Sequence, residues 1–135
     1  MTEPFGTARE LARAIVSRRL SPVEAVESSL ARLEATEPRL HSFVTVLADR
    51  ALRDAKRIET QLRQRKPHGP LAGVPISVKD LIAVGGAPLT FGSRSMADNI
   101  APHDAVAVER LRAAGAIIIG KTTTSEFGCK AAGDS

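Results

Sequence analysis

The apolar run Ala116-Ile117-Ile118-Ile119 is the feature that most constrains the fold of this chain. Consecutive aliphatic residues, mostly branched at the β-carbon, are typical of a parallel strand that is buried on both faces. A helical pattern from Asp104 to Ala114 precedes the run, with Asp104 as its predicted cap and Gly115 as its predicted end. With the strand-like segment Val74 to Val78, these elements form a strand-helix-strand unit, which is expected to cross over with a right hand. The pattern therefore predicts an α/β fold.

The first part of the chain is predicted to be helical. Two capping boxes begin helices, Thr7 with Glu10 and Ser21 with Glu24, and Pro22 occupies the favoured first helical position. Apolar residues then recur at helical spacing, at Val23, Val26, Leu30 and Leu33. One stripe of this second helix is therefore expected to face a core.

Three further elements complete the helical part. The pair Glu37-Pro38 is expected to end the second helix, and Phe43 to Val46 is predicted to be a short extended piece. A third helix is predicted from Leu47 to Arg65. Its inner face is expected to carry Ala48, Leu52, Ala55 and Leu62. We interpret residues 1–66 as a helical amino-terminal segment that acts as a scaffold, and residues 67–135 as part of an α/β catalytic core.

Lys79 stands at the far end of the first strand-like segment. Val74, Ile76 and Val78 alternate with polar or small residues, so Lys79 and Ser77 are expected to share the opposite face. The lysine is then at the carboxyl end of a strand, which is the edge where open α/β sheets bind ligands. A lysine that is desolvated there can act as a base. The alternative is an ordinary lysine that reaches solvent.

Two other residues near this edge are weaker candidates. Ser77 and Lys79 are conceivable as a local dyad, but their α-carbons would be about 6.5 Å apart, so the lysine would have to fold back. Ser77 is better interpreted as a small residue tolerated beside packed neighbours. Lys121 follows the buried strand and is interpreted as a structural or surface lysine at a strand exit.

Several blocks of the sequence, in their order and spacing, closely resemble the amidase signature family. The main block is Gly-Pro-Leu-x-Gly-Val-Pro-x-x-Val-Lys-Asp at residues 69–80. The others are Gly92-Ser93-Arg94, Asp104-Ala105, residues 111–116, Gly120-Lys121-Thr122 and Ser125-Glu126-Phe127-Gly128, with Leu20 to Glu24 and Phe43-Val44 upstream. The resemblance implies the amino-terminal part of a three-layer α/β/α fold with a mixed sheet.

The resemblance also implies an enzyme that hydrolyses linear amides to an acid and ammonia or an amine. Members of the family use a lysine, a bridging serine held by a cis peptide bond, and a nucleophilic serine. The lysine of this pattern falls on Lys79, the one catalytic residue expected here, and its amine would have to be kept uncharged by burial. The chain contains no Gly-Gly-Ser-Ser run to supply the serines. These residues alone are therefore expected to be inactive, with a small-molecule amide as the eventual substrate and no cofactor.

Two alternatives remain open. One is the corresponding part of a glutamyl-tRNA(Gln) amidotransferase A-type subunit, which shares the motif and the lysine. The exit loop Thr123 to Lys130 is more similar to general amidases, which favours the first interpretation. The other alternative is a non-catalytic remnant or binding module.

Composition and charge argue against other classes of protein. The net charge of +4 is spread among acidic residues, and the one short basic run, Arg63 to Lys66, has no Trp or Tyr beside it, so nucleic-acid binding is not expected. No apolar stretch is long enough to cross a membrane, and Met1 to Pro4 does not resemble a signal peptide. His41, His68 and His103 are too scattered to indicate a metal site. The single cysteine, Cys129, fits a reducing cytoplasm.

The segment from Gly85 to Pro102 is a long loop rich in Gly, Pro and Ser. Such loops are uncommon inside compact domains, so it is expected to pack against further chain or to border a site. Thr122-Thr123-Thr124 is expected either to border the edge that carries Lys79 or to cap the next helix. Because the sheet would be cut partway, its apolar edges are expected to make the isolated chain self-associate, as a homodimer for example, or depend on a partner.

Overall fold

The computed structural model describes residues 6–130. The elements are α1 (Ala8–Val16), α2 (Pro22–Leu40), β1 (Phe43–Val46), α3 (Ala48–Arg63), β2 (Pro75–Lys79), α4 (Val106–Ala113) and β3 (Ile117–Thr122), with 3₁₀ turns at Arg94–Met96 and Glu126–Gly128. Residues 1–5 and 131–135, which include the segment Met1 to Pro4 considered above, lie outside this description. No helix within residues 6–130 combines the length and apolar character that a membrane crossing requires.

The strands form a mixed sheet with β3 in the middle. The order is β1-β3-β2, with β1 antiparallel to β3 and β2 parallel to it. Ile117, Ile118 and Ile119 are all buried, so the apolar run is the buried parallel strand that the sequence predicts. The α/β class is therefore confirmed. Because β1 comes from the first 66 residues, both segments contribute to one sheet, and their division at residue 67 stays a prediction.

The two faces of the sheet are covered by different elements. Ile117 and Ile119 pack with residues of α1, α2 and α3, among them Ile15, Val26 and Ile58. Ile118 packs on the other face with Val78 of β2, Val108 of α4, and Val84 and Ala87 of the long loop. Alternation along β3 therefore feeds two separate clusters.

Local capping signals place the first helices well. Thr7 and Glu10 form the predicted capping box of α1, and Ser21 and Glu24 form that of α2. The predicted end of α2 at Glu37-Pro38 is wrong, because the helix continues to Leu40 with Pro38 inside it. Pro38 lies so near the end that its missing N–H removes one hydrogen bond from a single turn. The helix ends instead at His41, which has a φ of +46° and whose N–H donates to the Glu37 carbonyl.

Helix α3 is shorter than predicted, and its buried stripe includes two residues that were not predicted. The prediction of Ala55 and Leu62 as inner residues is confirmed, but Ala48 and Leu52 are only half-buried. Ala51 and Ile58 complete the buried row instead. Positions 51, 55, 58 and 62 follow the three- and four-residue spacing of one helix face. Position 48 continues that spacing at the start of the helix, and Leu52 packs against the same core from the margin of the face.

Helix α4 differs from the prediction at its start. It begins at Val106 after Ala105, and no side chain caps it, so the prediction that Asp104 is the cap is wrong. The Asp104 carboxylate instead accepts hydrogen bonds from the Gly85 N–H (2.6 Å) and from Arg112 Nε (2.8 Å). These partners from distant positions hold the carboxylate away from the helix end. Gly115, with φ of +91°, closes the helix as predicted.

Glu37 ties the end of α2 to the start of β1. Its carboxylate accepts hydrogen bonds from the Phe43 N–H (2.9 Å) and the Ser42 hydroxyl (3.0 Å). The Phe43 N–H makes the largest contribution to a Glu37 pKa below the ordinary value, and the Ser42 hydroxyl adds to it. Since the pKa is lower in the folded state, these bonds stabilise the fold above the ordinary pKa of about 4.3. The contribution is lost as pH falls through the lowered pKa.

Glu37→Gln is therefore expected to lower the melting temperature of the complete protein at about pH 7, and to lower it less at about pH 3. The complete protein means these 135 residues with any chain encoded around them. Glu34→Gln, one turn earlier on α2, is the control, because Glu34 accepts no side-chain hydrogen bond from residues 6–130. Thermal melts at both pH values measure the effect. An equal loss at the two pH values would contradict the assigned role.

Candidate active site

The carboxyl ends of β2 and β3 lie side by side and define the candidate site. Lys79 is paired with Thr122 and Val78 with Lys121 in the parallel register. The Asp80 N–H continues the ladder by donating to the Thr122 carbonyl at 3.0 Å. Lys79 and the threonine exit loop therefore meet at one edge of the sheet, where ligands bind in open α/β folds.

Lys79 lies on the exposed face of β2. Val78 is buried while Ser77 and Lys79 are both exposed, as the predicted alternation requires. The prediction that Val74 and Val78 share one face is wrong, because Val74 packs with the helical core and Val78 with the cluster on the other face. Neither side chain makes a hydrogen bond to another residue of the described range, and no bond joins the two. Residues 6–130 thus do not provide the burial that a base at Lys79 would need. Any shielding has to come from elsewhere.

Lys121 is the lysine that this part of the chain buries. Its side chain is 0% exposed, and Nζ donates to Asp80 Oδ1 at 2.6 Å and to the Pro88 carbonyl at 3.0 Å. Of the two roles considered for Lys121, the structural one applies. Asp80, which is 1% exposed, is the partner that sequence reasoning missed. The sequence did contain a signal for this pair. Asp80 directly follows β2 and Lys121 lies near the end of β3, and the strand-helix-strand unit places these two strand ends side by side.

An irregularity in β3 turns Lys121 toward Asp80. Ile76 pairs with Ile118, but the next residue of β2, Ser77, pairs with Gly120, so Ile119 is an extra residue. One extra residue reverses the alternation of faces beyond it. Lys121 consequently projects on the same face as its neighbour Val78, toward the long loop, rather than toward the helices.

Asp80 also organises the long loop. Its second oxygen, Oδ2, accepts hydrogen bonds from the Thr90 N–H (3.1 Å) and the Thr90 hydroxyl (2.5 Å). The same hydroxyl accepts from the Gly92 N–H at 3.2 Å. With Pro88 held by Lys121, the loop is fixed at two points over the end of the strands. That the loop packs against further chain or borders a site stays a prediction.

The far part of the loop packs on the exit loop after β3. The Phe91 and Phe127 rings stack with centroids 5.9 Å apart, and the Phe127 N–H donates to the Phe91 carbonyl. The Ser93 hydroxyl donates to Glu126 Oε1 at 2.7 Å. These contacts join the long loop to the exit loop beside the carboxyl end of β3.

Few other groups near this edge offer chemistry. Within residues 6–130, no three His, Cys, Asp or Glu side chains are arranged to hold a metal ion. Thr124 and Ser125 are buried, and their hydroxyls donate to the carbonyls of Ser125 and Lys130. They do not cap the turn that follows. What the site offers is therefore an exposed amine at a strand end, beside a loop that is hydrogen-bonded to a buried ion pair.

A sequence model of the amidase family matches residues 24–135. The chain belongs to the amidase family. The matched range includes β2, Asp80, the long loop and β3, which together make up the site.

Individual relatives agree with this assignment. An acylamidase from Rhodococcus erythropolis is 43% identical over 122 residues, which are 90% of this chain and 26% of that protein. The A-type subunit of a glutamyl-tRNA(Gln) amidotransferase from Symbiobacterium thermophilum is 43% identical over 130 residues, 96% of this chain and 27% of that protein. The chain thus spans about a quarter of the length of these relatives.

Solved structures confirm the fold. A bacterial aryl acylamidase of the amidase signature family superimposes with a TM-score of 0.85 at 29% identity, over 91% of this chain and 26% of that one. A peptide amidase from Stenotrophomonas maltophilia gives a TM-score of 0.86 at 29% identity, over 93% of this chain and 26% of that one. The predicted amidase-signature fold is therefore confirmed.

Gly92 is expected to be intolerant of a side chain, because a β-carbon there would lie 2.6 Å from the Thr124 carbonyl oxygen. Gly86, in the same loop and also with positive φ, has no atom within 4 Å of that position and is the matched control. Gly86→Ala should cost about 1–2 kcal/mol for backbone strain alone. Gly92→Ala should cost about 1–3 kcal/mol more, because it overpacks. Denaturant unfolding of the complete protein measures both; equal costs would contradict the close packing of the loop.

Proposed function

We propose that these residues form the amino-terminal part of an amidase that hydrolyses a carboxylic amide to an acid and ammonia or an amine. The observation that carries the proposal is the position of Lys79, in a chain of the amidase family, at the carboxyl end of a strand beside the end of β3. Lys79 is the proposed base. A small-molecule amide is the proposed substrate.

In the proposed mechanism, the neutral amine of Lys79 takes a proton from a bridging serine, which in turn takes one from a nucleophilic serine. The nucleophile attacks the amide carbon, and the leaving amine departs with a proton. Water then hydrolyses the acyl-enzyme to the acid. Both serines are proposed to lie in a Gly- and Ser-rich segment outside these 135 residues, which contain no Gly-Gly-Ser-Ser run.

The proposal assigns a specific role to the exposed face of β2. A base of this kind has to be shielded from water, and Ser77 and Lys79 are exposed in residues 6–130. We propose that the serine-bearing part of the protein docks on this face. Without it, the nucleophile and the donors that stabilise the oxyanion are absent, so the 135 residues alone are proposed to be inactive.

A glutamyl-tRNA(Gln) amidotransferase A-type subunit is the second candidate, favoured by the 43% identity over 130 residues to the Symbiobacterium protein. In that case the amide would be glutamine. The exit loop from Thr123 to Lys130 favours a general amidase. Release of ammonia from glutamine, measured against release of an amine from an anilide, separates the two. Cys129 is a free, exposed thiol, which is compatible with the proposed cytoplasmic location.

Lys79→Ala in the complete protein is expected to lower kcat/KM for amide hydrolysis by about 100-fold to 10,000-fold, because it removes the proposed base. Lys56→Ala, which truncates an exposed lysine of α3, is the matched control and should retain activity. Steady-state kinetics on an anilide and on glutamine measure the effect. Hydrolysis by Lys79→Ala at close to the original rate would rule out the assigned role.

We also propose that the isolated 135-residue chain self-associates through the outer edge of β1. Val44 and Val46 are 47% and 46% exposed there, and β1 pairs on one side only within residues 6–130. Val44→Lys is expected to shift the chain toward monomer, because a charged edge resists strand pairing. Val106→Lys, at an exposed valine of α4, should leave association unchanged. Light scattering after size exclusion measures this; a monodisperse, cooperatively melting monomer of the unmodified chain would contradict the proposal.

A further inference from the structure

We infer that Asp80 and Lys121 are positioning residues for Lys79, an inference that rests on the proposed function of that lysine. The buried Asp80–Lys121 pair holds the carboxyl end of β2 against β3 and thereby fixes the point from which the Lys79 side chain projects. Neither residue is assigned a contact with substrate.

Asp80 is the next residue after Lys79, and its backbone and its side chain are both bonded to β3: the N–H to the Thr122 carbonyl, and Oδ1 to Lys121 Nζ. Two bonds from one residue to adjacent residues of the neighbouring strand leave the end of β2 little freedom to twist or slide. Lys79 lies directly before this double attachment.

Within residues 6–130, only the backbone of β2 positions Lys79. Its side chain is exposed and makes no hydrogen bond within residues 6–130. In this part of the protein, its location therefore depends on the backbone of β2 alone. Misplacing a catalytic group by about 1 Å can cost about 100-fold in rate, so the anchoring of that backbone matters to a reaction at the amine.

Lys121 and Asp80 are 0% and 1% exposed, so both charges are removed from water almost completely. Buried ion pairs of this kind are often no more stabilising than apolar residues of similar volume, while their directional bonds define one geometry. Stability alone is therefore a weak reason for a buried pair at this edge. A requirement for a fixed geometry is a stronger one.

The same pair also holds the loop that borders the site. Asp80 Oδ2 accepts from the N–H and hydroxyl of Thr90, and Lys121 donates to the Pro88 carbonyl. Strand end and loop are thus joined through two side chains. Loss of the pair is expected to loosen both together, on either side of Lys79.

The test compares four variants of the complete protein: Asp80→Asn, Lys121→Met, the double variant, and Ile58→Ala. Each single variant leaves one buried group without its ionic partner and should lower the melting temperature by about 10 °C. The double variant removes both charges and should recover most of that loss. Ile58→Ala, at a residue of α3 that is 4% exposed, is a control for destabilisation alone.

Activity and stability are expected to separate. In the double variant, kcat for amide hydrolysis should stay about 100-fold below the original while KM changes less than about threefold. Ile58→Ala should lose stability and keep kcat. If kcat returns with stability in the double variant, the pair is only structural and the inference is wrong. Should the double variant not fold, Thr90→Val replaces it, with a kcat about tenfold lower expected and an unchanged kcat counting against the inference.

Hydrogen exchange separates a failure of this inference from a failure of the proposed function. If the complete protein hydrolyses no amide, or if Lys79→Ala is fully active, the proposed function fails. The double variant should still show amide exchange at Asp80, whose N–H donates to the Thr122 carbonyl, at least about tenfold faster than the original protein, with α3 unchanged. Unchanged exchange at the Asp80 amide would overturn the inference whatever the activity.

Discussion

The extra residue in β3 is the constraint on which the site depends. Ile117 and Ile118 alternate between the helical core and the second core, and the irregularity at Ile119 reverses the order that follows. Gly120, the next residue, allows β1 to lie close to β3, because a β-carbon there would meet the Thr45 carbonyl oxygen at 2.6 Å and the Phe43 ring at 2.8 Å. The irregularity turns Lys121 to the side of Asp80. A regular strand would direct its amine into the apolar cluster under the helices, where residues 6–130 offer no partner for it.

Where neighbours along the chain determine the structure, the sequence was sufficient to predict it. Both capping boxes join residues three positions apart, and the burial of Ile117 to Ile119 follows from a run of aliphatic residues. The error at Asp104 has the opposite character. Asp104 has the residue type of a cap, but its carboxylate accepts hydrogen bonds from Gly85 and Arg112, which are 19 and 8 positions away. Which of several possible hydrogen-bond partners a carboxylate takes depends on the tertiary fold. The local sequence pattern does not identify that partner.

The candidate site shows the same division. The placement of Lys79 on the face opposite Val78 was predictable from a period of two, and the structure has it so. The partnership of Lys121 with Asp80 spans 41 positions and requires both the adjacency of β2 and β3 and the irregularity at Ile119. Adjacency follows from the crossover unit. The irregularity has no signal in the sequence beyond a glycine inside a strand, which is compatible with a bulge but does not identify one.

Two lysines at one sheet edge have opposite surroundings, and this difference bears on which of them can react. The Lys121 amine is enclosed and donates to a carboxylate and a carbonyl, so taking a proton from a substrate group would mean breaking both bonds inside the core. The Lys79 amine has no such bonds in residues 6–130 and is open on its face. A base at this position would need a second surface that excludes water. In the proposed enzyme, the buried pair would set the geometry, and the free amine would become reactive where the proposed serine-bearing part covers it.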